Sequence, residues 1–320
     1  MTDLADRTVQ LYRIMGSTEA ADYALREALG IIKTAGSIDE LRKKLASFAA
    51  DVIKARPTSA LMLNTFRDIL MALTNLEGVE PAEARRLLAE KVESWIARAR
   101  ESVEKLAEIG ARRIPDETRI LTHSYSYSVV RTLEKCVAQG KRIEVVVTES
   151  RPTGEGLATA ETLSSKGIPV TLIVDSAARF IMKDVDLVLM GAEAIAANGA
   201  VVNKVGSSLI ALAAHEARRR VFIAAGTYKF SVETVFGELV EIPSLPPRAV
   251  LSPEEAEKLG DDYKAWFPLM DVTPPEYIDA IITEMGMVAP EAVPLVLREL
   301  YGSWPPRLPD IDELLERLSG

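Results

Sequence analysis

Cysteine, histidine, asparagine and glutamine are almost missing from this chain of 320 residues. A single cysteine, Cys136, excludes an internal disulfide framework and any cluster held by several thiolates. Two histidines, His123 and His215, are too few to make up a metal site, and no cofactor is expected. Long apolar runs are missing as well. Nothing approaches the roughly 20 residues that cross a bilayer, and Met1 to Arg7 are charged and lack an apolar signal core, so a cytoplasmic protein without membrane contact is expected. Positive charge is also short. With 38 basic against 47 acidic residues the formal charge is −9, which repels a phosphodiester backbone, so nucleic acid is not an expected ligand. The amides Asn64, Asn75, Asn198, Asn203, Gln10 and Gln139 stand beside abundant Glu, Lys and Arg. That balance is found in heat-adapted proteins, and a thermophilic source is expected.

What is present is ordinary globular material, 48% hydrophobic and 27% charged, enough for one large domain or two. From Thr18 to Ile32 the apolar residues Ala21, Ala24, Leu25, Ala28, Leu29 and Ile32 recur at three and four, the spacing of one helical face. Gly36 closes that segment, and Ser37 with Glu40 is a capping-box pattern that opens a second helix. Pro57 and Thr58 open a third, Pro81 a fourth, and Gly110 and Pro115 break the pattern. After Pro115 the period changes. Short β-branched runs, Ile120 to Thr122, Ile143 to Thr148, Val170 to Val174, Leu187 to Met190 and Val221 to Ala224, alternate with helical stretches around Val129 to Val137, Ala158 to Ser165 and Leu209 to Arg218. This predicts an α/β protein, an all-helical bundle over residues 1–113 followed by a doubly wound, mostly parallel Rossmann-like sheet over 114–320. The stretch Ile242 to Arg248, with three prolines, reads as a rigid loop.

In such a sheet ligands bind beyond the carboxyl ends of the strands, against helix N-termini. The strand ends here carry Thr122-His123-Ser124, Thr148 to Pro152, Asp175-Ser176 and Gly191-Ala192-Glu193, and Asn203-Lys204-Val205-Gly206 leads into a helix. Arg151 and Lys204 offer cations, Ser124 and Ser207 hydroxyls, Asp175 and Glu193 carboxylates, a set that suits a small phosphorylated polyol. The same residue types also cap helices and close turns, so position alone leaves both roles open. Cys136 falls on a face with Val129 and Leu133 and reads as packing, and His123 as a residue that hydrogen-bonds its turn.

The five runs Ile120 to Ser124, Val147 to Pro152, Val174 to Ala178, Met190 to Glu193 and Asn198 to Gly206 occur in order at compatible spacing. Together they resemble the alpha/beta/delta regulatory subunits of translation initiation factor 2B and the isomerases related to them. Arg56-Pro57-Thr58, Tyr228-Lys229-Phe230 and Met270 to Pro275 extend the resemblance. Its isomerases, acting on methylthioribose 1-phosphate or ribose 1,5-bisphosphate, place a cysteine where this chain has Ser124 and an aspartate where it has Glu193. They also carry an arginine-glycine pair that contacts substrate phosphate, where Met15-Gly16 stands here. A serine hydroxyl does not ionise near neutral pH as a thiol does, and Glu193 adds a methylene. On that comparison the resemblance implies a non-catalytic, alpha-type regulatory subunit, a homodimer or higher oligomer acting with initiation factor 2 through its alpha subunit. Its pocket would still take a phosphorylated sugar or nucleotide, lined by Ser124, Arg151, Asp175, Glu193, Asn203 and Lys204. The alternative is an aldose-ketose isomerase using Ser124 and Glu193.

Overall fold

The computed structural model describes residues 16–76, 78–237, 240–259 and 263–319; Met15 lies outside them. Among the described residues four helices come first: α1 (Ser17–Thr34), α2 (Ile38–Ala55), α3 (Ala60–Thr74) and α4 (Pro81–Arg113). Their three-and-four spacing puts Ala24, Ala28, Ile32, Leu41, Leu45, Phe66, Ile69 and Leu70 into one buried cluster. Ser37 caps α2 by accepting from the Glu40 amide at 3.1 Å, and the Glu40 carboxylate reaches back to the Gly36 amide at 2.8 Å. The third helix opens at Ser59, whose hydroxyl accepts from the Met62 amide, and not at Pro57 as expected, because Pro57 and Thr58 form a turn.

The second part contains β1 (Thr118–Thr122), α5 (Tyr127–Ala138), β2 (Ile143–Thr148), α6 (Glu155–Ser165), β3 (Val170–Ile173), β4 (Leu187–Met190), β5 (Ala194–Ile195), β6 (Val201–Lys204), α7 (Ser207–Glu216) and β7 (Arg220–Ala224). It continues with β8 (Ser244–Leu245), β9 (Phe267–Pro268), β10 (Met270–Thr273), β11 (Ala280–Thr283), β12 (Gly286–Val288), α8 (Val293–Tyr301) and α9 (Ile311–Ser319). Among the described residues, seven strands make one sheet in the order β12-β11-β7-β4-β1-β2-β3. Every neighbouring pair is parallel except β11 with β12. Two core clusters lie on its two faces, as expected for a doubly wound sheet buried on both sides.

Some details depart from the sequence reading. Gly110 does not end α4, which runs on to Arg113. Gly110 is the place where α4 crosses α5, and a Cβ there would stand 2.8 Å from Thr132 Cγ2. The proline-bearing stretch from Ile242 is not only loop, since β8 pairs with β9. Strands β11 and β12, and a small antiparallel sheet of β10, β6 and β5, were not foreseen; runs of two to four residues carry too little periodicity to be read. Finally, α9 returns to the helical layer, where Ile311, Leu314 and Leu318 join the first cluster.

The strand order fixes where a ligand can sit. From β1 the chain moves outward through β2 to β3, then crosses back to place β4 on the other side of β1. The crevice between β1 and β4 is therefore the switch point at which open α/β sheets bind ligands.

Candidate active site

Ser124 follows β1 and Glu193 follows β4, so the two flank that crevice. Both line a cavity of about 340 Å³ whose outer wall is the helical layer, through Gly16 to Glu19 at the start of α1 and Arg56 after α2. The N-terminal residues of three helices, α1, α5 and α6, contribute to the lining. Helix N-termini present unpaired amides and a positive dipole end, so the cavity favours an anion.

Its side chains are held tightly. Glu193 is 4% exposed and accepts two bonds from Arg56, Nε to Oε1 at 2.7 Å and Nη2 to Oε2 at 3.0 Å. Lys204 donates from Nζ to Glu155 Oε1 at 2.7 Å and Thr153 Oγ1 at 3.1 Å. Burial pulls the Lys204 ammonium below the usual lysine range, against the pull of Glu155. Lys229 donates from Nζ to Ser17 Oγ at 2.6 Å and to the Ala192 carbonyl at 2.8 Å. Burial brings it down to about 8. Burial also raises Glu19, opposed by a hydrogen bond with Tyr125.

Ser124 has a φ of 64°, in the left-handed region that costs a residue with a Cβ about 1 kcal/mol or more. The strain is held by a network. The Ser124 amide donates to Ser150 Oγ at 2.7 Å, and the Ser124 carbonyl accepts from Thr159 Oγ1 at 2.8 Å. His123 lies beneath, its Nδ1 2.6 Å from Thr148 Oγ1 and its Nε2 2.9 Å from the Val205 carbonyl. A carbonyl only accepts, so Nε2 carries the proton and Nδ1 accepts from Thr148. Burial, which lowers the His123 pKa, favours that neutral form. His123 thus braces the turn that presents Ser124.

Ser124, Glu193, Asn203 and Lys204 come together in the cavity, with Ser207 behind Asn203 through a 2.9 Å bond. Arg151 and Asp175 do not line it. The Asp175 carboxylate accepts from the Ser150 and Arg151 amides at 2.8 and 2.7 Å, fixing the β2 loop. The Arg151 side chain is exposed beside Trp266 in a separate shallow recess. Cys136 is buried in the sheet core, its thiol pushed up to about 11 by burial, as packing requires. Lining residues absent from the candidate set of the sequence reading are Arg56, Glu155, Lys229 and Ser17 to Glu19 on α1, whereas Gly16 falls where the resemblance placed a phosphate contact. Arg56 and Lys229 stand in segments that carried the resemblance; an Arg or Lys bordered by Pro-Thr or Tyr and Phe was the available signal.

Fold and cavity together define an α/β protein, a doubly wound sheet joined to a helical part, with an anion-favouring, charge-lined pocket at the switch point. The chain belongs to the Initiation factor 2 subunit family, which it matches over residues 15–290. A curated relative from Pyrococcus furiosus, named ribose 1,5-bisphosphate isomerase, is 42% identical over 90% of each chain. One from Dictyostelium discoideum, named translation initiation factor eIF2B subunit alpha, is 36% identical over 67% of this chain and 68% of its own. A solved translation initiation factor eIF-2B from Pyrococcus horikoshii OT3 superposes with a TM-score of 0.77 at 29% identity, covering 91% of this chain and 98% of that one.

These relatives overturn the expectation of a non-catalytic regulatory subunit. Six archaeal relatives, 36% to 42% identical, are all named ribose 1,5-bisphosphate isomerase. The sequence reading gave three departures, at Ser124, Glu193 and Met15-Gly16, more weight than the rest of the chain. Yet Ser124 and Glu193 still line one cavity. None of these relatives shows initiation factor 2 as a partner of this chain. Among the described residues no helix is long and apolar enough to cross a membrane.

Proposed function

We propose that this chain is a sugar-phosphate isomerase of the ribose 1,5-bisphosphate type, with its reaction in the cavity between β1, β4 and the helical layer. The observation that carries the reading is the meeting of Ser124 and Glu193 in a buried, anion-favouring pocket, on a chain whose archaeal relatives bear that name. A volume of about 340 Å³ accommodates a phosphorylated pentose, and three helix N-termini suit its phosphates.

The chemistry follows from the substrate. The anomeric oxygen of ribose 1,5-bisphosphate is esterified, so opening the ring leaves an electron-poor C1 and no free aldehyde. An acid protonates the ring oxygen as the C1–O bond breaks. The C2 hydrogen then moves with its electron pair to C1, while a base takes the proton of the C2 hydroxyl, which becomes the ketone. Glu193 is the base: Arg56 fixes its position by two bonds, and each carboxylate oxygen retains a lone pair for the cavity. The Ser124 hydroxyl, aimed by a strained turn, orients the sugar hydroxyls. Asn203 and Lys204 complete the lining around the phosphates.

Substrate deuterated at C2 tests this route. Ketose carrying the label at C1 supports it, label lost to water contradicts the hydride route, and absence of conversion contradicts the isomerase reading.

A homodimer belongs to the same proposal. Phe180, Leu209, Leu212 and Val272 are exposed on neighbouring elements, an apolar surface that a second copy would cover. Sedimentation of the purified protein checks it, a monomer at micromolar concentration being the contrary result.

A further inference from the structure

An isomerase of this kind needs an acid as well as a base, and Ser124 cannot serve as one, because a serine hydroxyl gives up its proton only with a base beside it. Among the described residues three cations line the cavity, and two are matched to carboxylates, Arg56 to Glu193 and Lys204 to Glu155. Lys229 differs. Among the described residues no carboxylate stands at ion-pair distance from it; its Nζ is bonded to a hydroxyl, Ser17 Oγ, and a carbonyl, Ala192 O. An ammonium has three N–H donors, so one is left for the cavity that Lys229 lines.

The position of Lys229 is also fixed from both layers. Asn64 on α3 donates to the carbonyls of Tyr228 and Phe230, at 3.0 and 2.9 Å, clamping the residues on either side. Ser17 belongs to the helical layer, and Ala192 immediately precedes the proposed base Glu193. Such a rigid, desolvated amine is the arrangement in which lysines take part in proton transfer.

We infer that Lys229 is a catalytic residue, the general acid that protonates the ring oxygen of the bound aldose phosphate. The inference rests on the isomerase reading. The ammonium passes a proton to the ring oxygen as that oxygen takes the electron pair of the breaking C1–O bond. Hydride moves from C2 to C1, and Glu193 receives the proton of the C2 hydroxyl. When product leaves, the proton on Glu193 returns to Lys229 through water, so each turnover balances without an oxidant or reductant. The groups that face Lys229 are Glu19 on α1, Arg56 after α2 and Glu193 after β4. Burial outweighs them and brings the ammonium to about 8, where it gives up a proton readily near neutral pH.

The test is the pH dependence of kcat for ribose 1,5-bisphosphate in the native protein, Lys229→Arg and Lys229→Ala. Native kcat is expected to fall as pH rises past about 8, as the acid loses its proton. Lys229→Arg keeps the charge and can donate the same hydrogen bonds but does not release a proton. It is expected to lose about 10²- to 10⁴-fold in kcat, with KM changed far less and the alkaline limb gone. Lys229→Ala is expected to be rescued by small primary amines, with a rate that follows the acidity of the amine added. Lys229→Arg within threefold of native kcat, or rescue indifferent to amine acidity, overturns the role of Lys229 while leaving the isomerase reading intact. A native protein that turns over no ribose 1,5-bisphosphate overturns both.

Discussion

Arg56 and Glu193 stand 137 residues apart in sequence and meet as a buried pair with two hydrogen bonds, 4% and 5% exposed in their side chains. The bond joins the helical layer to the end of β4, and through it a residue of the bundle sets the orientation of the proposed base. Removing one partner leaves the other charge buried and alone. Arg56→Met is therefore expected to cost about 3–5 kcal/mol of unfolding free energy, and the double variant Arg56→Met with Glu193→Leu to recover part of it. Denaturant melts of the four proteins give the coupling; additive losses would contradict a direct pair.

Ser124 is expected to show stability and activity moving in opposite directions. Glycine adopts a φ of 64° without cost, so Ser124→Gly should leave stability unchanged or raise it by about 1 kcal/mol. Turnover should fall at the same time, because the hydroxyl is gone. Thermal melts and initial rates on one preparation separate the two effects. A variant that is both destabilised and fully active would show that the turn has no part in the site.

Charge removal distinguishes the residues that reach the cavity from those that do not. Lys204→Met should weaken binding of ribose 1,5-bisphosphate at least tenfold, whereas Arg151→Met, on an exposed side chain outside the lining, should change it less than threefold. Calorimetric titration at a temperature where both remain folded gives the comparison. Equal losses would bring Arg151 into the site.

How much of this was legible in the sequence differed from element to element. The runs Ile143 to Thr148 and Leu187 to Met190 are strands with the predicted limits, because short apolar runs bounded by turns, between segments of helical pattern, suit buried parallel strands. Ser124 and Glu193 were chosen because strand ends of a parallel sheet are where ligands bind, and both line the cavity. Arg151 and Asp175 met the same criterion and lie elsewhere. A strand end fixes the neighbourhood of a side chain and not its direction, and the direction here follows from the bonds that Asp175 accepts from two amides. Arg56 and Lys229 reach the cavity from the helical layer and from the loop after β7; their place in segments that carried the resemblance was the one signal, since a contact formed over such distances in sequence leaves no periodicity.

Lys229 also ties stability to pH. Its folded form has a value of about 8 against an ordinary 10.5. Between those two values the unfolded chain holds more protons than the folded one, so stability rises with pH across the window and the burial penalty is full below pH 8. Lys229→Met removes the penalty. Relative to native protein, the variant should gain about 3 kcal/mol more at pH 7 than at pH 10.5. Urea melts at the two values measure it, and a difference independent of pH would mean that Lys229 is not desolvated.

The central claim is tested most directly by the initial rate of ribose 1,5-bisphosphate consumption at elevated temperature, measured for native protein and Glu193→Gln side by side. The account predicts conversion to the ketose by the native protein at an enzyme-like rate and a loss of about 10²-fold or more in the variant. Native protein that leaves the substrate unchanged, or a Glu193→Gln variant as fast as native, would contradict it.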